Sequence, residues 1–239
     1  MVSNPDICSM QLLLTAATQF ELQPTLDFLD SQRVKFPDWE VHALIGGVGI
    51  ASTTYSLTTE LLQRRPSVIM QAGIAGTLSP ALLNAASPAV VAVNQDCFAD
   101  AGVWQNEQWN DLFDLGLLDE NAFPYTNRFL KNPWQQLLQH THLQHVTGVT
   151  VQEITTQPQR IAWYEQNSSM VVESMEGAAL HYVCLQQQVP FLQLRAVSNI
   201  IGERDKKNWR MKEAIAALNE TLIRTINTIC NLDETEFRL

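Results

Sequence analysis

The strongest constraint on this chain is a set of short, nearly uninterrupted apolar runs, each of strand length and each closed by small or polar residues. Residues 10–16, 67–72, 89–93 and 190–197 carry the pattern of strands buried on both faces, as in a parallel sheet packed between helices. Residues 40–45 and 145–151 alternate more and read as further strands, and Val171-Val172 ends another. Between the runs lie helical stretches: one spaced by Glu21, Leu22, Leu26, Phe28 and Leu29, then 51–64, 133–139, 158–166 and the alanine-rich 177–185. The last, 205–229, carries an apolar stripe of Met211, Ile215, Leu218, Leu222 and Ile226. This alternation predicts an α/β fold, a three-layer α/β/α sandwich around a central mixed, twisted sheet. With 239 residues and neither linker nor internal repeat, 1–239 is expected to form one domain. The stretch 104–128, rich in Trp, Phe, Asp and Asn without a clear period, reads as long loops with short helices.

Charge excludes one large class of partner. A formal net charge of -10 argues against binding nucleic acid, which needs clustered Lys and Arg. The one basic cluster, Arg204, Lys206, Lys207, Arg210 and Lys212, has the ordinary reading of a solvated helix face. Cys8, Cys97, Cys184 and Cys230 match no metal or redox spacing, which suits a reduced, cytoplasmic setting. The run 10–17 is too short for a signal peptide and no stretch is long enough to span a membrane, so no membrane partner is expected. His140, His142 and His145 fit no metal-site pattern, and neither metal nor cofactor is expected.

The chemistry concentrates where strands hand over to helices, the place where open α/β sheets hold ligands. Glu176 sits between Val171-Val172 and the helix from Gly177, and Ser198-Asn199 ends the next strand. A carboxylate there can accept from a pair of sugar hydroxyls, and an amide offers a donor and an acceptor together, which is what a nucleoside requires. Taken singly, Glu176 reads as a solvated carboxylate favoured by a helix N-terminus and Asn199 as a turn residue. Glu21 has the same ordinary reading, as a dipole-compensating charge in a first helical turn. Gly46-Gly47-Val48-Gly49 is neither a Walker loop nor a full dinucleotide fingerprint, so packing is its default explanation.

Together, Ser174-Met175-Glu176-Gly177-Ala178-Ala179 and Arg195-Ala196-Val197-Ser198-Asn199 resemble the nucleoside phosphorylase/nucleosidase superfamily. The continuation 200–215 is most similar to hydrolases within it. The resemblance implies a nucleoside substrate and a homodimer. It also implies that Glu21 orients or deprotonates the attacking water, Glu176 accepts from the 2′ and 3′ hydroxyls, and Met175 packs beneath the ribose. Ile74 and Ala75, in the glycine-containing loop 73–77, would line the nucleoside site, and the segment 152–156 with Ile154 would wall the purine. Phe98, Phe113, Phe123 and Pro124 could cover a large 5′ substituent, although packing is the commoner fate of such residues. Arg204 or Lys206 would neutralise a carboxylate on that substituent.

Two substitutions sharpen the expectation. Related phosphorylases carry an arginine for phosphate where this chain has Gln71, and the first half otherwise supplies only Arg33, Lys35, Arg64 and Arg65, so water is the expected nucleophile. Adenosine-type nucleosidases carry an aspartate where this chain has Asn199. An amide cannot protonate N7, but its NH₂ can donate to a 6-oxo group while its carbonyl accepts from N7–H, which favours hypoxanthine as the leaving base. The alternatives are an adenine-releasing nucleosidase of the 5′-methylthioadenosine/S-adenosylhomocysteine type, a purine nucleoside phosphorylase, and a non-catalytic nucleoside binder.

Overall fold

The computed structural model describes residues 10–31, 36, 38–84, 87–167 and 171–238; Cys8, Arg33 and Lys35 lie outside them. In chain order the elements are β1 (Met10–Ala16), α1 (Gln19–Ser31), β2 (Trp39–Ile45), α2 (Ile50–Gln63), β3 (Val68–Thr77), α3 (Pro80–Leu83) and β4 (Val90–Asp96). A hairpin of β5 (Gly102–Gln105) and β6 (Gln108–Asp111) follows, then β7 (Leu130–Lys131), α4 (Gln135–Gln139), β8 (Gln144–Thr150), α5 (Pro158–Asn167) and β9 (Val171–Ser174). The chain continues through α6 (Gly177–Gln187), β10 (Phe191–Ile200) and α7 (Met211–Ile229). The apolar runs fold as strands because they are enclosed: Leu12, Leu14, Ile69, Met70, Val91, Val93, Leu192 and Leu194 are all inaccessible to solvent.

β3 organises the sheet. The first half of one edge pairs in parallel with β1, from Leu12 opposite Val68 to Thr15 opposite Gln71. β1 then ends, and antiparallel β9 takes over with Glu173 opposite Gly76. β10 runs along the other edge from Ile69 to Thr77. Because β10 also pairs with β4, β4 with β8 and β8 with β9, the strands β3, β10, β4, β8 and β9 close a ring. Small β-branched and alanine side chains from all five pack together: Ala75, Val91, Val93, Val146, Val172 and Val197. The mixed sheet is as expected; its closure is additional. At the fork where β1 and β9 part, the chain leaving β1 brings in Glu21 and the chain leaving β9 brings in Glu176.

Helices cover the sheet in two layers. α7 lies on β3, β10 and β4 and packs against α1, while α6 lies on β8, β7, β10 and β4 and packs against α2. Cys184 is buried in α6, as its apolar surroundings predict.

Three expectations are corrected. Residues 73–77, expected as a loop, continue β3 to Thr77, because β10 pairs with them as far as Ile200 opposite Thr77. The last helix begins at Met211, not 205: Asp205 accepts from Lys207 N–H at 3.0 Å in a short 3₁₀ turn, Lys206–Asn208. Trp209 Nε1 donates to the Glu203 carbonyl, and the Arg210 amide donates to the Ser198 carbonyl, so this basic stretch is pinned as a loop. Within 104–128, the hairpin β5–β6 stands where loops and short helices were expected, turned by Asn106 and Glu107, both at positive φ as a type I′ turn requires. No described helix is long and apolar enough to cross a membrane, and no cluster of His, Cys, Asp or Glu among the described residues could hold a metal.

Candidate active site

A cavity of about 510 Å³ opens at the fork beside β3. Glu21, Ile74, Ala75, Ile154, Met175, Glu176, Asn199 and Arg204, each given a place at the nucleoside from the sequence, all line it.

Glu21 lies in the first turn of α1 but is not a solvated charge, being only 8% exposed. Its Oε2 accepts from both the amide (3.0 Å) and the hydroxyl (2.9 Å) of Thr18, as in a capping box, and Oε1 accepts from the Ile74 amide at 3.2 Å. A carboxylate offers about four acceptor positions; three are filled and one remains on Oε1 for a proton from outside. The ordinary helix-start role therefore leaves this side chain one acceptor position unfilled.

Glu176 occupies the N-cap position of α6 yet makes no side-chain capping bond. Its carboxylate instead reaches across the cavity floor, where Oε1 accepts from the Gly49 amide (3.0 Å) and Oε2 faces Arg195 Nη1 at 3.6 Å. Gly49 has φ 89°, and a Cβ there would strike the Gln152 amide, so glycine is required. The small-residue turn before α2 thus does more than pack: it hands Glu176 a backbone donor.

Arg195, which the sequence reading quoted but gave no task, is 1% exposed and stands opposite Gly73 in the β10–β3 pairing. Nη2 donates to Gln71 Oε1 at 2.7 Å while Nη1 faces Glu176. The guanidinium fits only because residue 73 has no side chain; a Cβ there would collide with Nη1 and press on Glu21 Oε1. Both carboxylates and their counter-charge are gathered around one glycine.

Asn199 sits past a bulge: Val197 pairs with Ala75, and Asn199 with Gly76. Its Nδ2 donates to the Ile200 carbonyl (2.9 Å) and its Oδ1 accepts from the Ser198 hydroxyl (2.8 Å). A carbonyl can only accept, so these partners fix which end of the amide is which. One N–H and one lone pair are left over.

Other lining residues were given no part in the site from sequence. Phe20 and Val48, 60% and 55% exposed, stand at the mouth, and Ile201, Trp209, Met211 and Ile215 complete the apolar wall. Glu173 also contributes; burial raises its carboxyl above the usual range, opposed by hydrogen bonds from Thr155. Phe98, Phe113, Phe123 and Pro124 do not line the cavity: Phe98 packs near Tyr182 and Phe113 on Tyr125. Of the segment 152–156 only Ile154 reaches it, since Gln152 accepts from the Ile50 amide and Thr155 donates to Glu173. The loop 201–210 brings Arg204 and Lys206 to the rim, the only basic residues among the described ones that line the cavity. The Arg204 guanidinium lies over the Trp209 ring at 5.7 Å.

A family model described as the phosphorylase superfamily matches residues 14–231. The chain is 30% identical over 195 residues to a futalosine hydrolase of Streptomyces coelicolor, covering 79% of each sequence. It is 34% identical over 126 residues to a futalosine hydrolase of Thermus thermophilus, covering 47% of this chain and 56% of that one. Among solved structures, an MTA/SAH nucleosidase superimposes with a TM-score of 0.72 at 20% identity, covering 95% of this chain and 99% of the other, a likeness of fold. By the span of the family match and the identity to its curated relative, this chain belongs to the phosphorylase superfamily.

Proposed function

We propose that this protein hydrolyses the N-ribosidic bond of futalosine, releasing hypoxanthine and the 5′-substituted ribose. The observation that carries the reading is the convergence of Glu21, Glu176 and Asn199 on one cavity, each with hydrogen-bonding capacity left over.

Cleavage builds positive charge on the sugar and negative charge on the departing base, so the site must hold the hydroxyls, receive the base and aim water. Glu176, anchored from below by Gly49 and Arg195, accepts from the ribose hydroxyls, and Met175 packs under the ring. The free lone pair of Glu21 takes a proton from water. The spare N–H of Asn199 donates to the 6-oxo oxygen as negative charge accumulates on the base, and once the departed base takes a proton from solvent at N7 the spare lone pair of Asn199 accepts from that N–H. A 6-oxopurine is the better anionic leaving group, which suits an amide that supplies no proton. Adenine from aminofutalosine or methylthioadenosine would leave Asn199 without that 6-oxo partner. Water is the nucleophile: Gln71 is committed to Arg195, and Arg195 itself to Glu176.

At the rim, Arg204 and Lys206 face the carboxylate of the 5′ side chain, with Phe20 and Val48 against its apolar part. The enzyme works as a cytoplasmic homodimer without cofactor, in the alternative menaquinone route that the resemblance implies. The test is incubation with futalosine, aminofutalosine, methylthioadenosine and inosine, with and without phosphate, and identification of the released base by chromatography. Hypoxanthine from futalosine, independent of phosphate, is expected. Adenine release would overturn the role of Asn199, and a requirement for phosphate would overturn hydrolysis.

A further inference from the structure

Helix α1 contains a proline, Pro24, one turn beyond its start. Pro24 has no N–H for the carbonyl of Phe20, and its ring crowds that carbonyl, so this turn of the helix lacks one backbone bond. The next backbone pair along, Thr25 N–H and the Glu21 carbonyl, would bond to one another in an unbroken helix. Here both groups bond to one side chain from another helix. Asn219 of α7 accepts at Oδ1 from the Thr25 amide (3.0 Å) and hydroxyl (2.6 Å), and donates through Nδ2 to the carbonyls of Glu21 (2.9 Å) and Ile215 (2.8 Å). Two lone pairs and two N–H groups make four bonds, the full capacity of an amide. Asn219 is 3% exposed and Thr25 wholly buried, so no solvent competes.

The residue whose backbone is held this way is Glu21. Its own carboxylate is tied only to Thr18 in the same turn and to Ile74, so the direction of its free lone pair depends on where the first turn of α1 sits. Met211, Ile215 and Asn219 recur every fourth residue along one face of α7, and the first two line the cavity. One amide therefore joins the cavity-lining turn of α7 to the main chain of Glu21.

We propose that Asn219 is a positioning residue for Glu21: by bridging Thr25 and the Glu21 carbonyl where Pro24 removes a backbone bond, it sets the first turn of α1 so that the Glu21 carboxylate points at the reacting water. This inference rests on the function proposed above, and acts through Glu21 without touching substrate.

The test compares purified wild type with Asn219→Ala, Thr25→Val and the double variant Pro24→Ala/Asn219→Ala, measuring kcat, KM and melting temperature with futalosine. Thr25→Val removes one bond to the Asn219 amide and leaves the Glu21 carbonyl bonded; it should lower the melting temperature with kcat unchanged. Asn219→Ala should lower kcat roughly 10- to 100-fold, the scale of a small misplacement of a catalytic group, with KM within about threefold. Restoring an N–H at position 24 lets α1 pair its own backbone, so the double variant should recover most of the lost kcat. Where Asn219→Ala does not fold, Asn219→Asp keeps the volume and the acceptor side while opposing the two carbonyls, and carries the same expectation. An Asn219 variant that loses stability as Thr25→Val does but keeps wild-type kcat would overturn the inference alone. Wild type that turns over no nucleoside would instead overturn the functional reading, and the inference with it.

Discussion

Arg195 is the residue on which the site's electrostatics turn. It is a buried cation whose partners, Glu176 and Gln71, are also buried, and its Nε has no partner among the described residues. Breaking one side of such a pair leaves an uncompensated buried charge, a loss of about 3–5 kcal/mol. Arg195→Met is therefore expected to lose stability on that scale in urea titration, and Arg195→Lys to rescue little, because one ammonium cannot span Gln71 and Glu176 as the planar fork does. A lysine variant with wild-type stability would contradict this account. Much of the residue-level site was legible in the sequence, because Glu21, Glu176 and Asn199 follow strand signals and short-range spacing placed them at strand ends. The role of Arg195 was not, since it depends on Gly73 opposite it on β3, 122 positions away by numbering. The capping-box half of Glu21's role was legible in Thr18-x-x-Glu21 and went unread.

At the scale of elements, α6 shows how a helix start is built to present Glu176. The Thr150 hydroxyl accepts from the Ala178 amide at 2.7 Å and donates to Asp96 Oδ1 at 2.9 Å, tying the first turn of α6 to the end of β4. Asp96 is wholly buried, and burial pushes its carboxyl up to about 6 against the hydrogen bonds from the Thr150 hydroxyl and the Cys97 amide. A raised carboxyl means that the folded protein takes up the proton more readily than the unfolded chain. Its contribution is fully present below the unfolded value of 3.8 and is lost as pH rises through about 6. At neutral pH the ionised group costs on the order of 3 kcal/mol. Asp96→Asn is expected to gain stability relative to wild type between pH 4 and about 7, by up to that amount, as read from denaturant midpoints across pH; a difference flat with pH would refute it. The elements missed in sequence share a physical cause. The hairpin strands Gly102–Gln105 and Gln108–Asp111 are four residues each and expose most of their side chains, with Trp109 buried, so no apolar alternation marked them. The stretch before α7 has helix-forming residues, but its side chains bond locally and its backbone bonds to Ser198, outweighing propensity.

For the molecule as a whole, the consequential feature is β3 changing partners. The longer strands of the sheet and their order could be read from runs of apolar residues, but which strand lies beside which is a long-range choice without a local signature. The ring closed by β3 and β10, and the fork between β1 and β9, therefore emerge only in three dimensions. That fork places a carboxylate following β1 and a carboxylate following β9 on one cavity, with the amide ending β10 beside them. In the proposed reaction this constellation directs water at a nucleoside. Its most direct test is the rate of hypoxanthine release from futalosine in phosphate-free buffer by wild type and by Glu21→Gln, which keeps the shape and removes the base. A loss of roughly 10²–10⁴-fold in kcat with the fold intact is predicted, the usual contribution of a general base; a Glu21→Gln enzyme as fast as wild type would contradict the account.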